Sequence, residues 1–438
     1  MNRDLLIISI IGSFGGLIMG FDITMFTGAF PFFSGYSGLL GLKVGWIVIV
    51  TLAGTVVGAR LIGRFADKFG RRDLLKMMAL LLVLSSLGTG LANNSVIFLI
   101  ARFITGLAIG AITVLSPVYL TEIAPPHFRG RIVGGFLLNL FIGIIIALFF
   151  IHLISDSGTN DWRWMFFSTI VPALVFILLL FYTVRTPRWL TSKGFDRETS
   201  FVTRLINSEK DIDELMKEIQ DTFYFTGKAA FTSVLEPKYG KMLKMGLTIA
   251  IFNALSGGGV IICFLFNLIK GPPATMGLSV NPFMITAIAG IVLSFAGLSI
   301  IDRLGRKKIL LVGSAFTAIL MLILGALLVL GYNHSLLSAL LIAIIPAVYF
   351  NGQGMSMFVV IPEILPNMVR AKGTGFILSI YWLISLLMAV VMQNFIDGPV
   401  LGYIFICTGI LTTVAFYFFT KLIRETHGEK LEILEKNW

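Results

Sequence analysis

Apolar residues in this chain fall in long unbroken blocks, not with the alternation of a half-buried strand or the stripe of a surface helix. Twelve such blocks approach or exceed the roughly 20 residues that cross a bilayer. They lie near 5–32, 43–65, 74–91, 95–121, 131–153, 164–182, 242–269, 280–301, 309–330, 336–361, 372–395 and 399–420. A helix satisfies its own backbone in lipid, so each block predicts a membrane-spanning helix. Connections are short except over 183–241, which is polar and rich in both signs of charge. There Ser208 and Asp211 form a start resembling a capping box. Ile212, Leu215, Met216 and Ile219 follow at the i, i+3, i+4, i+7 spacing of an amphipathic helix. A second short helix is expected around Glu198–Ile206. The expected fold class is therefore all-α and integral to the membrane. A six-helix bundle over 1–184 leads to a cytoplasmic helical linker over 185–241. A second six-helix bundle over 242–438 ends in a short cytoplasmic tail.

Glycine breaks the apolar pattern in two ways. Gly16 and Gly20, Gly54 and Gly58, and Gly106 and Gly110 have the small-xxx-small spacing that lets helices approach closely in lipid. The run Gly257-Gly258-Gly259 costs a continuous helix about 1 kcal/mol per residue relative to Ala, and points to a bend or mobile segment in the seventh span, with simple close packing as the alternative.

Composition agrees with a membrane as solvent: 57% of the 438 residues are hydrophobic and 13% charged, about half the charge of a soluble domain. The net charge of +11 could point to nucleic acid, but its distribution argues otherwise. Of the 34 Lys and Arg, only Lys43, Arg163 and Lys270 fall on one side of the predicted topology, and Arg60 and Arg102 lie inside spans. All the rest share the other side, which the positive-inside rule assigns to the cytoplasm together with both termini. The expected location is the plasma membrane, with no cleavable signal peptide. Cys263 and Cys407 sit in spans and the four His are scattered, so no disulfide framework, metal site or cofactor is indicated.

Two charged signatures occur twice. Asp67-Lys68-Phe69-Gly70-Arg71-Arg72 is echoed by Asp302-Arg303-Leu304-Gly305-Arg306-Lys307. Glu122-Ile123-Ala124-Pro125 with Arg129 is echoed by Glu363-Ile364-Leu365-Pro366 with Arg370. The repeat marks the halves as duplicated and pseudo-symmetric, an arrangement typical of carriers that rock two bundles about a central site. Asp67, Arg71, Arg72, Glu122, Arg129, Asp302, Arg306, Glu363 and Arg370 are the candidates for an ion-pair network that shuts the cytoplasmic side. Asp22 and Arg102 stand apart from these, inside the first and fourth spans. Charges at such depth are costly, usually paired, and mark ion or proton pathways. A carboxylate whose partner helix moves can alternate between protonated and ionised forms, so Asp22 and Arg102 are the proton-coupling candidates.

These residues, taken together, resemble the sugar porter family of the major facilitator superfamily. The likeness runs through Gly20-Phe21-Asp22, Gly63 to Arg72, Arg102 to Gly106, Pro117 to Glu122, Trp162 to Phe166, Pro187 to Leu190, and Glu425-Thr426 with Gly428, Leu431 and Glu432. It implies twelve helices, alternating access and a cytoplasmic helical domain. It also implies that Asp22 and Arg102 occupy the place of the Asp–Arg pair of proton-coupled members. The two Trp of the sixth-span motif also suit an interfacial belt. Several sugar-contacting positions of the family are altered here. Leu137 stands for a Gln, Asn253-Ala254 for a Gln pair, Phe358 for a Trp, and Tyr381 for an Asn beside a retained Trp382. Arg185 replaces an acidic gate residue, which predicts a rearranged pair. The candidate substrate-binding residues are Thr24, Asn253, Ser256, Gln353, Ser356, Phe358, Tyr381, Trp382 and Ser385.

The reading is a secondary transporter for a small molecule, a proton-coupled symporter of a sugar or polyol. An organic acid, with Arg102 as its partner, and a facilitative uniporter are the alternatives. A nutrient sensor on the same fold is disfavoured by the short tail. An enzyme is disfavoured by the lack of a phosphate loop, a His-Glu-x-x-His or a nucleophile motif. The partners expected are substrate, protons and the lipid bilayer, with no nucleic acid.

Overall fold

A computed structural model of the protein describes residues 3–33, 44–155, 161–206, 234–269, 281–333 and 335–436, with Met216 and Gln220 besides. Among the described residues eleven helices are long and apolar enough to cross a membrane, and a bent pair, taken as one span, makes a twelfth. In chain order, spans 1 to 6 are Arg3–Ala29, Gly45–Phe69, Arg71–Gly90, Ser95–Ile123, Pro126–Ile154 and Asp161–Leu180. Span 7 is Pro237–Leu255 with Gly258–Phe264, bent by 46°. Spans 8 to 12 are Pro282–Leu304, Arg306–Val329, Leu336–Ile364, Arg370–Phe395 and Leu401–Leu422. An even number of crossings puts both ends of the chain on one face, here called the terminal face.

Most helices run past the predicted apolar blocks at the terminal face, because charged residues there continue the helix and find partners. The bend in span 7 falls where the glycine run predicts it. Gly257 has φ +72°, a left-handed conformation that an L side chain resists. The helix Asp196–Ile206 lies where a short linker helix is expected, and Pro187–Ser192 forms another. The predicted amphipathic helix over 208–219 lies outside the described residues, apart from helical Met216.

The packing repeats between halves. Span 1 packs on span 5, span 2 on span 4 and span 3 on span 6; correspondingly span 7 packs on 11, 8 on 10 and 9 on 12. Span 2 meets span 11 across the middle, and span 8 meets span 5 in the same way. The glycine pairs work as close-packing surfaces. A Cβ at Gly106 would collide with the Thr51 carbonyl, and one at Gly58 with that of Leu107. Leu84, Ile100, Leu178, Val292, Phe316 and Leu387 are exposed around the outside, an apolar girdle suited to lipid. Trp162 is not part of an aromatic belt. It is fully buried against Phe98 and Phe166, and only Trp164 of that pair faces outward.

Candidate functional site

Span 1 brings Asp22, and span 4 brings Arg102, to one point in the interior. Each is 2% exposed. The guanidinium fork donates from Nη1 to Asp22 Oδ1 and from Nη2 to Oδ2, both at 2.9 Å. Such bidentate geometry is the strongest form of charge-assisted hydrogen bond. Phe26 and Phe166 place their rings 5.2 and 5.8 Å from the guanidinium carbon, which adds cation–π attraction.

The pair lines a cavity displaced toward the face opposite the termini. Both bundles contribute to its walls. Met19, Ile23, Phe26, Thr51, Thr55 and Ile109 come from one, and Gly259, Val260, Cys263, Phe350, Tyr381, Trp382 and Ser385 from the other. Trp382 crosses between the bundles and donates its indole N–H to Thr113 Oγ1 at 3.3 Å.

Three of the nine predicted pocket residues therefore line this cavity: Tyr381, Trp382 and Ser385. The others lie elsewhere. The Thr24 hydroxyl donates to the Gly20 carbonyl of its own helix. Ser356 donates to the carbonyls of Arg306 and Gly352. Phe358 packs on Phe136 with ring centroids 5.3 Å apart. Ser256 donates to the Asn253 carbonyl and borders a separate small cavity with Met321 and Met388. Asn253 and Gln353 are fully buried behind the cavity wall. Sequence reasoning missed Thr51, Thr55 and Cys263, and also Tyr349, whose hydroxyl meets that of Tyr381 at 3.1 Å.

At the terminal face the two charged repeats assemble into a crosswise network. Arg71 pairs with Glu122 at 3.0 Å and Arg306 with Glu363 at 3.2 Å, each within its own bundle. Arg370 then reaches Glu122 at 4.0 Å, and Arg129 reaches Glu363 at 3.8 Å, each from the other bundle. Asp67 faces Lys372 across the same boundary at 3.5 Å, as Asp302 faces Arg131 at 3.7 Å. Asp302 also accepts the backbone N–H groups of Gly130 and Arg131 at 3.0 Å, where the start of span 5 leaves its donors free. Arg72 is not in this set. It pairs with neighbouring Asp73 and donates to the Thr183 carbonyl, because its position on span 3 turns it away from the bundle boundary. Arg185, the charge-reversed position, pairs with Asp73 at 2.9 Å.

The segment after span 12 laces this network together. Glu425 accepts the N–H groups of Arg306 and Lys307, the Thr426 hydroxyl donates to Glu363 at 2.6 Å, and Glu432 meets Arg188 at 2.8 Å. Burial pushes the Glu432 carboxyl up, but the Arg188 guanidinium, a backbone hydrogen bond and the charge of Arg370 together hold it down at about 2.

A family model described as "Sugar (and other) transporter" matches residues 8–438. The chain belongs to this family of transporters. An arabinose-proton symporter of Bacillus subtilis is 31% identical, over 99% of this chain and 95% of that protein. A D-xylose transporter of Levilactobacillus brevis is 28% identical, over 97% of this chain and 93% of its own. Among solved structures, the major facilitator proton:xylose symporter XylE bound to 6-bromo-6-deoxy-D-glucose superposes with a TM-score of 0.86 at 24% identity, covering 99% of both chains. The inward open conformation of XylE from E. coli gives 0.75 at 24% identity, covering 99% of this chain and 100% of that one. The fold is thus that of the major facilitator superfamily.

Proposed function

We propose that this protein is a proton-coupled symporter of a sugar or polyol that works by alternating access. The observation that carries the reading is Asp22, a buried carboxylate forked to Arg102 that opens on the same cavity as Tyr381, Trp382 and Ser385. Protonation of Asp22 releases Arg102, and the freed guanidinium alters how spans 1 and 4 pack. Substrate in the cavity draws the bundles together, the crosswise network at the terminal face parts, and both ligands leave. The charge bias along the chain supports a plasma-membrane protein with the terminal face in the cytoplasm, so the cavity described here lies toward the outside. The ion pairs of Arg71, Glu122, Arg129, Asp302, Arg306, Glu363 and Arg370 act as the closed inner gate.

The arabinose-proton and D-xylose relatives support a sugar as the solute. An organic acid bound by Arg102 loses ground, since the fork is already occupied by Asp22. One charge moved through 100 mV supplies about 2.3 kcal/mol, enough for roughly fortyfold accumulation. The deciding experiment is uptake of labelled sugars, polyols and small carboxylates into proteoliposomes, with and without an imposed pH gradient. Sugar or polyol uptake driven by an acidic exterior is expected. Uptake indifferent to the gradient would make the protein a uniporter, and uptake of carboxylates alone would replace the substrate class.

A further inference from the structure

Span 2 reaches the terminal face with two exposed stripes side by side. Arg60, Arg64 and Lys68 recur every fourth residue and form one, and Leu61, Phe65 and Phe69 form the other. Residues four apart share a helix face. The apolar stripe belongs to the lipid-facing girdle, so the basic stripe beside it borders lipid too. Arg60 stands nine residues before the helix end at Phe69, about 13 Å along the axis. Its guanidinium carbon lies over the ring of Phe376 on span 11, 4.9 Å from the centroid. Phe376 is six residues into a helix that starts at Arg370, a depth of about 9 Å. The first bundle thus lays a cation against the second, near the boundary between headgroups and acyl chains.

A charged side chain at such depth is costly and usually paired. Among the described residues, neither the Arg60 nor the Arg64 side chain has an ion pair or hydrogen bond. The neighbouring carboxylate, Asp67, is already held by Arg71 at 3.4 Å and by Lys372 of span 11 at 3.5 Å. The duplication supplies a comparison. The register that takes Asp67 to Asp302 takes Arg60, Arg64 and Lys68 to Phe295, Ser299 and Arg303 on span 8. Those three are exposed on the matching face, beside Ala296, Ile300 and Leu304, and the Ser299 hydroxyl donates to the Phe295 carbonyl of its own helix. The same helix face in the same fold therefore needs no cation at its two deeper positions. Arg60 and Arg64 answer to something outside the chain.

We propose that Arg60, Arg64 and Lys68 hold the phosphate of an anionic phospholipid in the groove between spans 2 and 11. Guanidinium groups grip phosphate oxygens through paired N–H donors, and the phosphate supplies the negative charge that no nearby carboxylate can spare. Leu61 and Phe65 lie alongside for the acyl chains, which a soluble anion lacks. The groove follows the line where the bundles meet. A Cβ at Gly63, inside the ladder, would lie 2.5 Å from the Ala371 carbonyl. A lipid seated here touches both halves and is held best while the terminal face is shut. The site is separate from the central cavity, and the inference does not depend on the transport reading.

The test is lipid retention by the detergent-solubilised full chain, read by native mass spectrometry. Phosphatidylglycerol and phosphatidylcholine with the same acyl chains are the probes. Wild type should retain phosphatidylglycerol preferentially, each cation contributing about fivefold. Arg60→Phe with Arg64→Ser, which installs the residues of the repeat, should weaken phosphatidylglycerol about 25-fold and leave phosphatidylcholine unchanged. Arg60→Lys should keep the preference, and so should Arg303→Ser on the matching face of span 8. Equal retention of the two lipids by wild type overturns the site, as does a double variant that keeps the preference. An equal loss in Arg303→Ser would make the effect one of general surface charge and overturn it too. Inorganic phosphate that displaces the lipid at equal concentration would make the occupant a soluble anion, against the proposal. If the double variant fails to fold, Arg64→Ser alone must lose about fivefold or the proposal fails.

Discussion

Arg188 and Glu432, 244 residues apart in the chain, meet at 2.8 Å, and Arg188 also donates to the Glu122 carbonyl at 2.6 Å. The segment after the last span is thereby tied to the first bundle. Replacing Glu432 by Gln removes a charge-assisted pair worth about 1.5–3 kcal/mol. The folded carboxyl titrates at about 2, against an ordinary 4.5. Its contribution is therefore complete above pH 4.5 and is lost as the pH falls toward 2. The melting temperature of detergent-solubilised Glu432→Gln should lie below that of wild type by a constant margin between pH 5 and 8, and the margin should narrow below pH 4.5. A margin independent of pH would mean that packing, not charge, holds the segment.

Asp22→Asn keeps the size of the side chain and one of its acceptors while removing the titrating group. Concentrative uptake should vanish, while exchange of labelled for unlabelled substrate persists within about tenfold of wild type. Counterflow and gradient-driven uptake in the same vesicles separate the two. Accumulation that survives the substitution would place the coupling group elsewhere.

Glu363 serves Arg306 and Arg129 at once, and both arginines are 1% exposed. Glu363→Gln leaves two buried cations short of a carboxylate, a loss of about 3–5 kcal/mol from the closed arrangement. The bundles should relax toward a state open at the terminal face. A cysteine introduced at Lys372, beside the boundary, should then react faster with a water-soluble thiol reagent than in the Glu363 parent. An unchanged rate would show that the network does not hold that face shut.

Two glycines separate folding from gating. Gly106 packs on the Thr51 carbonyl inside one bundle, whereas a Cβ at Gly63 would lie 2.5 Å from the Ala371 carbonyl, across the boundary between bundles. Gly106→Val should overpack the bundle at a cost of about 1–3 kcal/mol or more and lower the yield of folded protein. Gly63→Val should fold but disfavour closure of the terminal face, read as faster labelling at the same engineered cysteine. Equal folding yields for the two would contradict this division.

Twelve spans and the bend at Gly257 were legible because block length and glycine runs act locally. The crosswise ion pairs were legible because duplication printed the same charges twice. The lining of the central cavity was not. Thr51 and Thr55 read as ordinary helix hydroxyls that bond back to their own turn, and they do so while still lining the cavity. Tyr349 lies next to a π-helical turn that no residue periodicity announces. Thr24 and Ser356 lie off this cavity, since polarity alone does not say which way a residue on a spanning helix faces.

The sharing of each glutamate has a kinetic meaning. Glu122 and Glu363 hold their arginine from the same half at 3.0 and 3.2 Å, and the partner from the other half only at 4.0 and 3.8 Å. If the halves separate as proposed, the longer contact breaks and the shorter one is spared, so neither carboxylate is stranded bare in a greasy interior. On the proposed alternating-access reading, each carboxylate thus gives up one of two partners and keeps the other, which lowers the barrier to parting the halves.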